Sequence, residues 1–210
     1  MDLGTIAGLW RYPVKSLKAE PLTRARVLPD GFEGDRTAAL VVETPTHARA
    51  GKPYRGKESA QLHLTSDPET AASYAADAKV MVTLDRARPR WFDAQPVSVL
   101  FDLWVRDVEA LVGAELDPLR WRPNVYVRAV PEFTRREPAL VGATLRAGTV
   151  VLRVLEPIDR CVTPTYDVAT GEPTPRLLEA VATRRNNVVG VYCEVVTPGE
   201  VQLGDTVRGD

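Results

Sequence analysis

Thr149-Val150-Val151-Leu152-Arg153-Val154-Leu155 running on into Asp159-Arg160-Cys161 is the stretch that decides how this 210-residue chain folds. Val150, Leu152 and Val154 fall on one face with Arg153 on the other, the period of two that marks a strand with one side buried. An ordered loop, Asp159 to Gly171, follows it and leads to a helix cap. Outward from here the same strand signal recurs at Thr5–Trp10, Arg24–Leu28, Ala38–Glu43, Lys79–Leu84, Val97–Leu100, Val125–Val130, Val188–Val196 and Glu200–Val207. The 17 prolines and 14 glycines lie throughout the chain and cut it into short segments, which favours strands and turns over long helices.

Three helices are expected. Ser66-Asp67-Pro68-Glu69 offers cap residues and a first-turn proline before an Ala-rich run to about Ala78. Asp102 to Val112 puts Val105, Val108, Leu111 and Val112 on one face, with Gly113 as the stop. Thr174-Pro175 opens the third, whose apolar stripe is Leu177, Leu178 and Val181. The sum is a β-rich α+β chain, barrel-like in character. Asp85 to Arg90, charged and proline-containing, reads as a boundary or an exposed linker.

A 44% hydrophobic share with 26% charged residues describes a globular protein that can bury a core without disulfides. Lys and Arg number 27 against 28 Asp and Glu, a net charge of -1. Nothing global draws such a chain to nucleic acid or to an anionic membrane, so any anion site must be local. Two cysteines are too few for a secreted framework. No apolar run reaches the ~20 residues of a membrane helix, and Met1-Asp2-Leu3-Gly4-Thr5 lacks the features of a signal peptide. The expectation is a cytoplasmic protein with reduced thiols and neither a nucleic-acid nor a membrane partner.

Four segments carry chemistry. In Tyr12-Pro13-Val14-Lys15-Ser16 the proline ends the first strand, leaving Lys15 and Ser16 as an oxyanion clamp or a solvated loop. In Gly31-Phe32-Glu33-Gly34-Asp35-Arg36 two glycines allow a sharp turn, and Arg36 projects from the start of a strand or sits on a surface hairpin. In Trp121-Arg122-Pro123-Asn124 the proline predicts an extended Arg122, with a rigid fork of donors, beside an Asn124 that can donate and accept. In the Asp159–Gly171 loop, Arg160 beside Cys161 favours the thiolate, a soft ligand for a transition metal; the plainer alternative is a small buried thiol. Thr163, Thr165 and Asp167 add hydrogen-bonding groups there. Cys193, in an apolar strand, reads as core.

Taken in order, Tyr-Pro-Val-Lys-Ser, Gly-Asp-Arg, Arg-Pro-Asn and Arg-Cys-x-x-x-Thr-x-Asp-x-x-Thr-Gly resemble the MOSC family, which includes the mitochondrial amidoxime-reducing component and its bacterial relatives. The resemblance runs from about Ile6 to Val207, and Phe92-Asp93-Ala94-Gln95-Pro96-Val97 is similar to the opening of the family's second part. It implies an N-terminal β-barrel domain over residues 1–88 and a MOSC domain over 89–210. It implies a molybdenum-pterin cofactor held by Lys15, Ser16, Arg36, Arg122, Asn124 and Thr165, with Arg49 as a looser match and Cys161 on the metal. One departure stands out: relatives commonly carry Thr-x-x-Ser before the helix of the second domain, where this chain has Phe101 and Trp104. Two cofactor-binding hydroxyls are therefore expected to be replaced by aromatics.

The activity implied is reduction of N-hydroxylated or N-oxide small molecules, with electrons from a separate transfer partner. Asp167 is a candidate proton relay or an anchor of its own loop. A carrier of the cofactor, or of sulfur on Cys161, is the alternative. A metal-free cysteine enzyme is the third, and it needs His47 or His63 as base near Cys161.

Overall fold

β1 (Asp2–Arg11) buries Leu3, Ile6 and Leu9 at a spacing of three, its alternation broken by register shifts at Asp2/Gly4 and Ile6/Gly8, and this strand holds the architecture together. A computed structural model describes all 210 residues. After β1 come β2 (Glu20–Pro21), β3 (Arg24–Leu28), β4 (Gly31–Phe32), β5 (Ala39–Val42), α1 (Pro68–Asp77) and β6 (Val82–Asp85). The second half supplies β7 (Val97–Phe101), α2 (Asp102–Val112), β8 (Val125–Ala129), β9 (Thr144–Ala147), β10 (Val150–Asp159), α3 (Leu177–Arg185), β11 (Val188–Thr197), β12 (Gly199–Gln202) and β13 (Thr206–Gly209).

The strand order β13-β9-β10-β11-β7-β8-β1 closes on itself because β13 also pairs with β1, so seven strands form a barrel. Closure leaves these strands no free edge. The one parallel pair in it, β7 with β8, needs a crossover, and α2 provides it. Asp67 caps α1 by accepting from Glu69 and Thr70 N–H, and Gly113 ends α2 in the left-handed region. The chain is β-rich with three helices and a closed barrel, as its segment pattern predicts.

Core packing draws the first and second halves of the chain together. The larger cluster gathers Leu3, Ile6, Leu9, Val27 and Phe32 from the first half with the barrel residues of the second. A smaller cluster of ten, including Leu17, Leu40, Tyr54, Leu62 and Ala71, sits around β5, β6 and α1. β3 pairs with β12, nearly the full chain length away. Two cores are present, and β1, β3 and β4 belong with the C-terminal one.

Some boundaries differ from expectation for local reasons. Lys79 ends α1 in the left-handed region (φ 60°), so β6 begins only at Val82. The single strand expected over Glu200–Val207 is two, turned at Gly204 (φ +88°). Phe101 and Trp104 are fully buried in the larger core, with ring centroids 4.9 Å apart, and the Trp104 indole N–H donates to the Arg135 carbonyl at 2.9 Å. Both lie in the core rather than toward a ligand: Phe101 closes β7 and Trp104 lies on the buried face of α2.

Candidate functional site

Strand ends and the loops beyond them build a cleft of about 290 Å³. Seven cationic side chains line it (Lys15, Arg36, Arg55, Lys57, Arg120, Arg122 and Arg160) against two carboxylates, Asp93 and Asp159. Ser16, Ser98, Cys161, Thr163 and Tyr192 also reach it. A chain of net charge -1 thus gathers local positive charge from both halves, and such clefts focus field on an incoming anion.

The first wall is the segment after β1. The Lys15 N–H donates to Ala38 O at 2.8 Å, and a bridge between Val14 and Ala38 lays the segment beside residues 35–38. Arg36 is fastened to it by donating its N–H to Tyr12 O at 2.7 Å. Asp35, fully buried, accepts from Tyr12 N–H at 2.6 Å and from the Arg36 guanidinium. Burial lowers the Arg36 pKa, but Asp35, Tyr12 and Tyr192 together more than offset it and the net shift is upward.

Arg122 departs from its expected extended conformation. It caps a short 3-10 helix, Pro118–Trp121, in the left-handed region (φ 54°, ψ 48°), its N–H donating to Leu119 O. Its guanidinium lies over the Tyr12 ring at 4.2 Å and donates to Leu17 O at 2.8 Å. Arg36 lies over the same ring at 4.8 Å, and the phenol donates to Pro123 O at 3.1 Å. Ser16 (φ 72°) and Arg36 (φ 48°) are left-handed as well. Three non-glycine residues in this sparsely populated region meet at one cleft, the kind of strain that surrounding contacts must maintain.

Asn124 lies just behind the wall, fully buried. Its carbonyl accepts from Ser98 N–H and Ser98 Oγ, both at 3.1 Å, and from Arg36 at 3.4 Å, while its amide donates to Trp10 O at 3.2 Å. Every contact ties β1, β7 and β8 to Arg36, so Asn124 orients the wall from beneath.

Cys161 follows β10 and is exposed, its thiol 3.3 Å from Thr163 Oγ1. Arg160 makes no hydrogen bond to it; its guanidinium donates to the carbonyls of Val189 and Trp121. Burial lowers the Arg160 pKa to about 10, which still leaves it charged at neutral pH. Cys193 is fully buried at the centre of β11, and burial pushes its thiol pKa up.

Besides Asn124, three of the expected residues lie off the cleft wall. Asp167 accepts from Ala169 N–H at 2.9 Å, Thr170 N–H at 3.0 Å and Arg120 at 2.7 Å. Those backbone bonds lower its pKa, so it is an ionised anchor of its own loop. Thr165 is buried and donates its hydroxyl to Val162 O at 2.7 Å. Arg49 donates to Pro53 O at 3.1 Å and lies near Glu58. Neither histidine bonds to Cys161: His47 accepts from Arg49 N–H, and His63 Nε2 meets the Asp167 carbonyl at 3.3 Å.

Sequence reasoning passed over Asp93, Ser98, Arg55, Lys57 and Arg120 as site residues. Arg120 had a signal, since Asp117-Pro118 caps a short helix that aims it inward, and its guanidinium donates to Thr165 O at 2.9 Å. Arg55-Gly56-Lys57 was visible as a basic run around a glycine. Ser98 sits within an apolar strand and carried no signal.

Two family models match the chain, one described as MOSC domain over residues 56–208 and one as MOSC N-terminal beta barrel domain over residues 3–90. No curated protein matches it. Among solved structures, the YUAD protein from Bacillus subtilis is similar over 99% of this chain and 95% of that one, with 18% identity and a TM-score of 0.58. YiiM from Geobacillus stearothermophilus is 17% identical over 54% of this chain and 53% of that one, with a TM-score of 0.42. YiiM from Escherichia coli is 11% identical over 100% of this chain and 70% of that one, with a TM-score of 0.48.

Proposed function

The chain belongs to the MOSC family, and from that premise we propose that its cationic cleft holds a molybdenum-pterin cofactor, with Cys161 as the protein's ligand to the metal, in an oxidoreductase that reduces N-hydroxylated or N-oxide compounds. MOSC domains are associated with molybdenum-cofactor binding in general. The observation that carries the reading is the charge balance. Arg122 and Arg160 reach the cleft half buried, and neither has a carboxylate partner. Burying a guanidinium uncompensated is costly, and an anionic ligand completes the pair.

The donor set fits as well. Cys161 offers one exposed thiol in that cleft, and no group of three or more His, Cys, Asp or Glu comes together anywhere in the fold. A metal bound here takes its other donors from the molecule that carries it, as a pterin dithiolene does. When bound, this cofactor supplies two-electron redox chemistry and oxygen-atom transfer. The chain's own part is to bind and orient: Lys15, Arg36 and Arg122 face the anionic and carbonyl groups, Ser16, Ser98 and Thr163 offer hydroxyls, and Asn124 fixes Arg36. Electrons come from a separate partner protein.

A carrier without turnover would use the same contacts. Its particular support was the replacement of two hydroxyls by Phe101 and Trp104, and both aromatics belong to the core. The test is elemental and pterin analysis of protein purified from cells that make the cofactor, compared with Cys161→Ala. Wild type is expected to carry molybdenum and pterin, and the variant to lose the metal. Wild type with neither overturns the reading. Both bound, with no N-hydroxy compound reduced by an artificial electron donor, makes the protein a carrier.

A further inference from the structure

Lys15 does not face the cleft free. Its ammonium lies 2.5 Å from Asp93 Oδ1, and the two partners are held very differently. The Lys15 side chain is 9% exposed and its backbone is locked to Ala38, whereas the Asp93 carboxylate is 69% exposed. Asp93 sits between β6 and β7 in a segment without regular structure. Trp91 N–H pins that segment to Arg36 O at 2.8 Å, and Arg90 pins it to Asp30 and Asp35 O.

The other acids paired with the cleft's cations are welded to backbone. Asp35 accepts from Tyr12 N–H, Asp167 from Ala169 and Thr170 N–H, and Glu58 from Arg55 N–H at 2.7 Å. Asp93 has no such bond; its hydrogen bond is to Lys15. Removing it from the cleft breaks one ion pair and returns a mostly exposed carboxylate to water, a small cost beside that of extracting a buried, backbone-bonded acid.

We propose that Asp93 is an internal counter-ion that occupies Lys15 while the cleft is empty and yields it to an anionic ligand, so that it sets the affinity of the site by competition. This rests on the cleft being an anion site, not on which anion fills it. Lys15, Arg36 and Arg122 are the cations that act on Asp93; the protein walls around it work against ionisation, but Lys15 and then the two arginines hold its carboxyl below the ordinary value. It therefore competes as a full charge throughout the neutral range. A ligand group of two negative charges, such as a phosphate monoester, outbids a single carboxylate for this cluster, whereas a singly charged anion gains little.

The experiment is calorimetric titration of the full chain with inorganic phosphate, for wild type, Asp93→Asn, Lys15→Met and the double variant. Asp93→Asn is expected to bind about 3–10-fold more tightly than wild type, and the gain is expected to shrink toward unity in the Lys15→Met background, because the competition runs through that ammonium. Equal or weaker binding by Asp93→Asn, with wild type binding well, overturns the counter-ion role and leaves the anion site standing. A gain that persists undiminished without Lys15 also overturns it, since the effect is then general charge. No binding by any of the four proteins refutes the anion site and the competition together. Thermal melts of the four guard against misfolding, and Asp93→Glu, which keeps the charge, is expected to bind like wild type.

Discussion

Replacing Asp35 by asparagine should destabilise the protein by about 3 kcal/mol, the lower end of the roughly 3–5 kcal/mol lost when one partner of a buried ion pair is removed. Asp35 is fully buried and the Arg36 side chain is 13% exposed, so the charge left behind has little water to turn to. The lower end applies because Arg36 retains the face of Tyr12 at 4.8 Å and Asn124 Oδ1 at 3.4 Å. The amide oxygen of the variant can still accept from Tyr12 N–H, so the loss is chiefly electrostatic. Urea unfolding reads it directly: with a slope of about 2–3 kcal/mol/M, the midpoint should fall by roughly 1 M. The variant also leaves a third half-buried cation of the cleft without a carboxylate, beside Arg122 and Arg160, so phosphate should bind and stabilise it more than wild type, the stabilisation reaching about 2.7 kcal/mol at a hundred times its dissociation constant. Adding Arg36→Met should cancel much of the loss, because no buried charge then remains unpaired. A loss below about 1 kcal/mol, or one that Arg36→Met leaves unchanged, would refute the reasoning.

Gly190→Ala should cost about 1–3 kcal/mol, measured by the same unfolding assay. Gly190 holds φ +87°, and a Cβ there would stand 2.9 Å from the Arg160 guanidinium and 3.3 Å from Val99 O; unchanged stability would mean that Arg160 is not pressed against β11. Ser16→Gly should stabilise the ligand-free protein by about 0.5–1 kcal/mol by relieving the left-handed strain at φ 72°, while weakening phosphate binding through loss of the hydroxyl, and a lower melting temperature would count against it. His63 is buried, and that burial, with Arg122 and Arg120 nearby, holds its pKa below the ordinary 6.5. The folded state then binds fewer protons than the unfolded one, so its contribution is complete above pH 6.5 and is lost as pH falls through the folded value. The melting temperature of wild type should therefore drop between pH 7.5 and 5.5 more steeply than that of His63→Gln, and parallel curves would exclude this role.

Local pattern is legible wherever one short segment decides its own conformation. The helix over Asp102–Val112 with Gly113 as its stop, the Asp67 cap and the strand Arg24–Leu28 all follow from spacing and capping chemistry within a few residues. Arg122 shows the limit: its proline neighbour argues for extended backbone, but the 3-10 helix before it and the Tyr12 and Leu17 contacts hold it left-handed. Phe101 and Trp104 show the same limit for a site. Their place in the order of motifs suggested aromatics standing where relatives carry cofactor-binding hydroxyls, and only packing reveals that they face the core.

By itself, the sequence determined the β-rich class, the segments that carry cation and thiol chemistry, and the order in which they recur. Lys15, Ser16, Arg36, Arg122 and Cys161 could be named because their segments pair turns with cation or thiol chemistry and follow one another in the order that resembles the MOSC family. Tertiary structure alone decided that β13 returns to β1 to close the barrel, that Asn124 stands behind the wall, and that Asp167 is tied into its own loop. It alone decided which cations are already paired: Asp35 with Arg36, Asp93 with Lys15, and no carboxylate with Arg122 or Arg160. The reason is physical. A residue's charge is a property of its type, whereas its compensation depends on partners brought within a few ångströms from distant parts of the chain.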